Sequence, residues 1–281
     1  MLPFSLNIKN EYLYSLYGFP IFVFYLTIYK MKLQYCSDLH LEFPDNKEFI
    51  LDNPIEPTAD ILVLAGDIVP FAIIDKHNDF FDYISRNFKM TYWIPGNHEY
   101  YYYNVDNSSF LETQIRDNIY LVNNCVKEIS GVNLIFSTLW SNISEEKRWV
   151  IQQSLSDFKV IKYKDHLFNV DAYNTLHKES LEFIQNALAT KSDNKTIVVT
   201  HHAPTFVNYP EKYVNSKINE AFATNLTNLI QYNNVDYWIY GHHHSNIGEF
   251  QIGNTKLVTN QLGYVKYNEN GGYNNKAIIT I

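Results

Sequence analysis

"DYWIYGHHHS", Asp236 to Ser245, sets a short aromatic and aliphatic run, one glycine and three consecutive histidines side by side. Such a run is too short for a helix and is rich in strand-forming residues, so it reads as a buried strand with chemistry waiting at its end. The same arrangement recurs along the chain. "KLQYC" leads into Ser37-Asp38-Leu39-His40, "ILVLA" into Gly66-Asp67, "TYWIP" into Gly96-Asn97-His98-Glu99, and "TIVVT" into His201-His202. Helical patterns lie between these runs. In "DAYNTLHKESLEFIQNALA", Tyr173, Leu176, Ile184, Ala187 and Leu188 share one face, and "KHNDFFDYISRNF" is a second candidate. Alternating strands and helices predict an α/β sheet, with ligands gathering at the carboxyl ends of its strands.

The composition suits a globular chain of this size. There are 281 residues, 46% of them apolar and 19% charged, enough for one large domain or two small ones. The net charge of −8, without a lysine or arginine cluster, excludes a protein whose main work is gripping long nucleic acid. Cys36 and Cys125 stand far apart with no C-x-x-C, which points to a reducing compartment, and Cys36 reads as a buried strand cysteine.

Residues 1–30 differ from the rest. "EYLYSLYGFPIFVFYLTIYK" has no charge from Tyr12 to Tyr29, long enough to raise a membrane helix, yet Gly18 and Pro20 interrupt it. It lacks a basic start and a small-residue cleavage site, so a secretory signal is a poor match. The expectation is an N-terminal extension (1–30) ahead of a catalytic domain (31–281). The extension arises from an upstream start, serves as a membrane anchor, or packs on the domain. In each case the catalytic domain is expected in the cytoplasm, with membrane contact only through an anchor.

Each polar cluster offers a definite chemistry. Asp38 and His40, two apart in extended chain, point the same way and can hold a divalent cation together. Asp67 has two oxygens with which to bridge a pair of cations. Asn97 adds a hard oxygen, His98 a proton donor, and Glu99 a supporting carboxylate. In extended chain His242 and His244 face one side and His243 the other, so two ligands and one spectator are expected. Any one cluster could arise by chance. Five at successive strand ends are hard to explain by packing.

Taken in order, D-x-H, GD, GNHE, a histidine pair and GHxH resemble the calcineurin-like metallophosphoesterases, from Lys32 to about Tyr264. "SDLHLEF", "GNHEYY", Leu139-Trp140 followed by "LSDF", and "NQLGY" look like a small, single-domain bacterial-type subgroup. Gln261 replaces the proline expected in the last of these. The arginine-bearing signature of protein Ser/Thr phosphatases is absent after Asp67, where the chain reads "IVPF". The resemblance implies a four-layer α/β/β/α sandwich of two mixed sheets flanked by helices. It implies two divalent cations drawn from Mn, Fe, Zn, Co or Ni, since the donors are nitrogen and oxygen without thiolate. Asp38, His40 and His244 would hold the first, Asn97, His201 and His242 the second, and Asp67 would bridge them. A metal-bound hydroxide would attack a small phosphomonoester or phosphodiester, a nucleotide-like one among the candidates. His98 would act as acid or stabilise the transition state. Glu99 and His202 would stand behind these residues, with Glu99 or another acid keeping His98 charged. One tyrosine of "EYYYYN" could stack on a leaving group, with Trp140, Trp149 and Tyr209 as further pocket candidates. A nuclease or cyclic-nucleotide diesterase is the enzymatic alternative, and a metal-bound interaction scaffold the non-enzymatic one.

Overall fold

The computed structural model describes residues 10–14, 20–24, 31–106 and 111–281. Contacts divide the chain into Met1–Met31 with Thr280–Ile281, and Lys32–Ile279. In the first unit Asn10–Tyr14 runs antiparallel to Pro20–Phe24, with Asn10 opposite Phe24. These ten residues are strand, not membrane helix. The remainder of 1–30, on which the extension and anchor readings fall, lies outside the described residues. Among those described, no helix is long and apolar enough to cross a membrane.

The second unit carries two six-stranded mixed sheets. One is ordered Ile278–Thr280, Lys32–Cys36, Ile61–Leu64, Met90–Trp93, Ile119–Asn123, Leu111–Arg116. The other is ordered Phe250–Ile252, Thr255–Thr259, Tyr237–Tyr240, Lys195–Thr200, Val132–Ser137, Cys125–Ile129. Each has four consecutive parallel strands. Antiparallel strands close the edges Leu111–Arg116, Cys125–Ile129 and Phe250–Ile252. The parallel strands are buried on both faces, which is why they read as near-continuous apolar runs.

Helices Pro44–Asp52 and Asn78–Asn87 cover the outer face of the first sheet, burying Ile50, Phe80, Phe81 and Ile84 against Leu62, Leu64 and Trp93. Val170–Ala189 and Thr227–Tyr232 cover the second, with Ile184 and Ile230 against Val198, Trp238 and Leu257. The expected face of Val170–Ala189 buries Tyr173, Leu176 and Ile184, and the Asn169 side chain caps its start by accepting from Ala172 N–H. Tyr92 of one sheet meets Phe136 of the other with ring centroids 5.1 Å apart, so the inner faces pack together. The layers run helix, sheet, sheet, helix. Because the parallel strands of both sheets end at the same edge, all five polar clusters meet there.

Candidate metal centre

Glycine precedes three of the clusters because another cluster passes close by. A Cβ at Gly96 would lie 2.2 Å from Asp67 Oδ1, and one at Gly66 would lie 2.3 Å from His201 Nδ1. Only glycine leaves room for that crossing.

The chain is not extended where the chemistry begins. Asp38 (φ 56°), His40 (47°), Asp67 (55°), His242 (80°) and His244 (46°) all adopt the left-handed conformation. Non-glycine residues held there cost on the order of 1 kcal/mol or more each, and they persist only where the surroundings impose them. The extended chain expected at these positions, with its alternation of faces, is therefore absent. A tight left-handed turn, not a pleated strand, turns His242 and His244 inward. His243 instead accepts from Gln261 Nε2 at 3.2 Å and packs its ring on Tyr209 and Tyr240.

Six buried or nearly buried residues converge. The donor atoms of Asp38, His40, Asp67 and His244 lie within 4.8 Å of one another, and so do those of Asp67, His201 and His242. Asp67 belongs to both groups. Each imidazole is pinned from behind. His40 Nδ1 faces Glu42 at 3.3 Å, His244 Nδ1 faces Glu269 at 2.8 Å, His201 Nδ1 faces the Ala65 carbonyl at 2.9 Å, and His242 Nε2 faces the Ala221 carbonyl at 3.2 Å. An imidazole that donates one N–H to an oxygen leaves a lone pair on its other nitrogen. Those lone pairs confront each other: His40 Nε2 and His244 Nε2 are 2.9 Å apart, His201 Nε2 and His242 Nδ1 3.1 Å apart. Two lone pairs at such distances need a positive charge between them.

The proton affinities agree. Burial works against charge on all four rings. For His244 the hydrogen bonds and charges of Asp38 and Glu269 prevail and raise it to about 10, and for His201 the charge of Asp67 prevails and raises it to about 9. Burial keeps His40 and His242 lowered, with neighbouring imidazoles adding to it against Glu42 and Asp67, which act the other way. One member of each facing pair thus holds a proton where a cation would fit. Asn97 makes the same point with oxygen. Its Nδ2 donates to Asp157 Oδ1 at 3.0 Å, while its buried Oδ1 has no partner. Two donor sets of nitrogen and oxygen around one carboxylate fit a pair of divalent cations.

His98 stands beside this cluster. Its backbone N–H donates to Asp67 Oδ1 at 2.9 Å, its Nδ1 faces Glu42 Oε1 at 2.8 Å, and its Nε2 is 3.3 Å from the Tyr264 hydroxyl. Burial opposes charge on the ring, but Asp67 and Glu42 together raise its proton affinity. The Tyr101 ring stacks on it at 4.0 Å, with its hydroxyl donating to Asp157. Of the tyrosine string, then, one ring supports His98. Tyr100 is buried in the core, whereas Tyr102 is 76% exposed.

Glu99 does not support His98. It accepts the N–H groups of Asp67, Ile68 and Gly96 and the Trp93 indole, tying two loops together. Glu42, two residues beyond His40, holds His98 instead. Asp157, Gln261 and Glu269 were also missed as partners. Gln261, standing where proline was expected, takes part in the site, for its Oε1 accepts the His244 N–H at 2.6 Å. His202 lies behind His242 with ring centroids 4.1 Å apart. Trp140 is core and Trp149 is 75% exposed, so of the three pocket candidates only Tyr209 lines the cavity of about 310 Å³ that opens over Asp67, Asn97 and His98.

Comparison with known proteins gives concordant findings. The family model Metallophos, described as calcineurin-like phosphoesterase, matches residues 31–246. A protein of Acanthamoeba polyphaga mimivirus, named uncharacterized protein L509, is 37% identical over 278 residues, covering 89% of this chain and 96% of its own. Among solved structures, the phosphopantetheinyl hydrolase PptH of Mycobacterium tuberculosis superposes with a TM-score of 0.67 at 17% identity, over 90% of this chain and 96% of that one. A dimetal phosphatase from Danio rerio superposes at 0.44 and 13% identity, over 82% and 87%. The first of these structures shares the fold.

Proposed function

The chain belongs to the calcineurin-like phosphoesterase family, and on that premise we propose that it hydrolyses a small phosphoester at the centre built around Asp67. Asp38, His40 and His244 would hold one cation, Asn97, His201 and His242 the other, and Asp67 both. Two divalent cations held there would acidify a water molecule and offset the charge that develops on the phosphoryl oxygens. The observation that supports this reading is the close approach of paired imidazole nitrogens, His40 to His244 at 2.9 Å and His201 to His242 at 3.1 Å, beside Asp67.

The protein's own groups supply the rest. Glu42 fixes the His98 ring through Nδ1, so the Nε2 proton is presented toward the cavity. From there His98 donates to a phosphoryl oxygen or protonates the departing one, work worth typically about 10²–10⁴-fold. Tyr101 and Tyr264 hold the ring plane against rotation. The backbone N–H of His98, bound to Asp67, keeps acid and shared carboxylate in register. No serine or cysteine is needed as nucleophile, and Cys36 is buried with its thiol pushed up to about 12 by burial.

The test is hydrolysis of a chromogenic phosphoester by metal-stripped protein resupplied with Mn²⁺, alongside His98→Ala. Activity should require the metal and fall by at least about 10²-fold in the variant while metal content holds. Undiminished turnover in His98→Ala would overturn the assignment.

A further inference from the structure

On the helix-covered side of the first sheet lies a second cavity, of about 320 Å³, which shares no lining residue with the one over the metal centre. It opens between helices Pro44–Asp52 and Asn78–Asn87. Lys47, Ile50 and Leu51 stand at helical spacing on the first, and Asp79, Tyr83 and Arg86 on the second, so each helix turns one stripe to the gap. Leu41, Ile50, Leu51, Pro54, Ile55 and Phe80 make the lining largely apolar. The Tyr83 hydroxyl is already spent on the Ile55 carbonyl at 2.9 Å. A cavity of this size with an apolar lining and a few polar groups is the usual form of a small-molecule site.

Its charge runs against that of the chain. The protein carries a net −8, yet Lys47 and Arg86 line this cavity against one acid, Asp79. Lys47 takes Asp79 at 3.5 Å. Asp82, one turn before Arg86, is held by Arg116 at 3.0 Å, and no ion pair is found for Arg86 among the described residues. The acids behind the wall are also engaged: Glu42 by His40 and His98, Glu56 by Lys276 at 2.7 Å. The wall includes one more polar group in want of a partner. His77 is 5% exposed, and its buried Nδ1 has no hydrogen bond. Burial first, then the charge of Lys47, lowers its proton affinity against Asp79 and Glu42, so an anion seated nearby would relieve the ring as well.

We propose that this cavity is a binding site for a small apolar monocarboxylate, with its hydrocarbon chain among the aliphatic side chains and its carboxylate at Arg86 and Lys47. The guanidinium fork of an arginine matches a carboxylate with two parallel hydrogen bonds, and Arg86 has none of its own kind to give up. A neutral apolar molecule would leave that charge unmatched. Inorganic phosphate would leave the apolar lining unfilled. The site stands apart from the phosphoester reaction and holds whether or not that reading does.

The experiment titrates hexanoate, octanoate and 1-octanol into the Zn²⁺-loaded full chain and into Arg86→Glu, with ¹³C-labelled isoleucine methyl groups as reporters. The Ile50 and Ile55 signals should move with octanoate, while Ile218, which lines the cavity over the metal centre, stays in place. Octanoate should bind roughly four- to fifteenfold more tightly than hexanoate, since each buried methylene is worth about fourfold. 1-Octanol, which lacks the charge, should bind at least about fivefold more weakly than octanoate, and Arg86→Glu should remove most of that difference. Arg86 is exposed, so the variant should fold, and its methyl spectrum reports whether it has. Unmoved Ile50 and Ile55 signals overturn the proposal, as does movement at Ile218 alone, which marks a carboxylate on the cations instead. Equal binding of the two acids, or of octanoate and 1-octanol by the unaltered chain, overturns it too.

Discussion

Replacing Glu42 by glutamine isolates the charged contact that orients the proposed acid. The side chain keeps its length and an acceptor oxygen, so the 2.8 Å approach to His98 Nδ1 and the 3.3 Å approach to His40 Nδ1 survive in shape but lose their charge. A hydrogen bond to a charged group contributes about 1.5–3 kcal/mol and a neutral one about 0.5–1.5, so the change removes on the order of 1–1.5 kcal/mol. At 1.4 kcal/mol per factor of ten, kcat should fall roughly 5- to 15-fold. KM and the metal content should stay close to wild type. The assay uses two diesters that differ in leaving group, one expelling 4-nitrophenol and one phenol. If His98 protonates the departing oxygen, the poorer leaving group suffers more, a pattern that a general loosening of the fold would not produce. Unchanged kcat for both esters would refute the coupling. Loss of a cation at unchanged kcat per bound metal would show that Glu42 acts through His40 instead.

Two further sets of substitutions probe the site and its support. His242→Ala and His244→Ala should each lose bound metal by elemental analysis, whereas His243→Ala, whose ring packs on Tyr209 and Tyr240, should retain both cations; equal losses at all three would remove the distinction drawn from the left-handed turn. His177, buried against the Trp140 carbonyl, has its proton affinity lowered from 6.5, chiefly by burial. The unfolded chain therefore takes up that proton first, and the neutral ring's contribution is complete above pH 6.5 and declines as pH falls below it. His177→Gln keeps a donor for the carbonyl but cannot titrate, so its urea midpoint should drop less than the wild type's between about pH 7.5 and about pH 5 at fixed metal loading, and parallel drops would refute the assignment.

How much of this centre could be read in the chain depends on whether a residue's role is local. The strands declared themselves because parallel strands buried on both faces must be apolar throughout, as in Ile61–Leu64 and Lys195–Thr200. Asp38, His40, Asp67, Asn97, His98, His201, His242 and His244 stood out because each follows such a run directly. Their partners did not. Glu42 meets His98 across 56 positions, Asn97 meets Asp157 across 60, and Tyr264 meets His98 across 166. Nothing in local pattern announces a pairing that only the convergence of two sheets creates. Glu99 was adjacent to His98 and drew the eye, but a short helical turn at His98–Tyr100 sends its carboxylate back under the loop. One signal was available: an imidazole in such a centre needs an acceptor behind it, so carboxylates near each histidine merited pairing in turn. Backbone handedness at Asp38 or His242 had no such signal, since neither residue type requires a left-handed conformation.

The sheets divide the labour of the centre by position in the chain. Asp38, His40, Asp67 and Asn97 follow strands of the first sheet, while His201, His242 and His244 follow strands of the second. During synthesis, a nascent chain that has not yet reached Lys195 carries the oxygen donors and a single imidazole of the set. It lacks every nitrogen that would face that imidazole or share Asp67. The two donor groups become complete only when Tyr237–Tyr240 has emerged and taken its place beside Lys195–Thr200, since His242 and His244 depend on that strand end. On the proposed assignment, cation capture would wait for that strand. A truncated product would carry half a centre, with too few donors to compete for the metal.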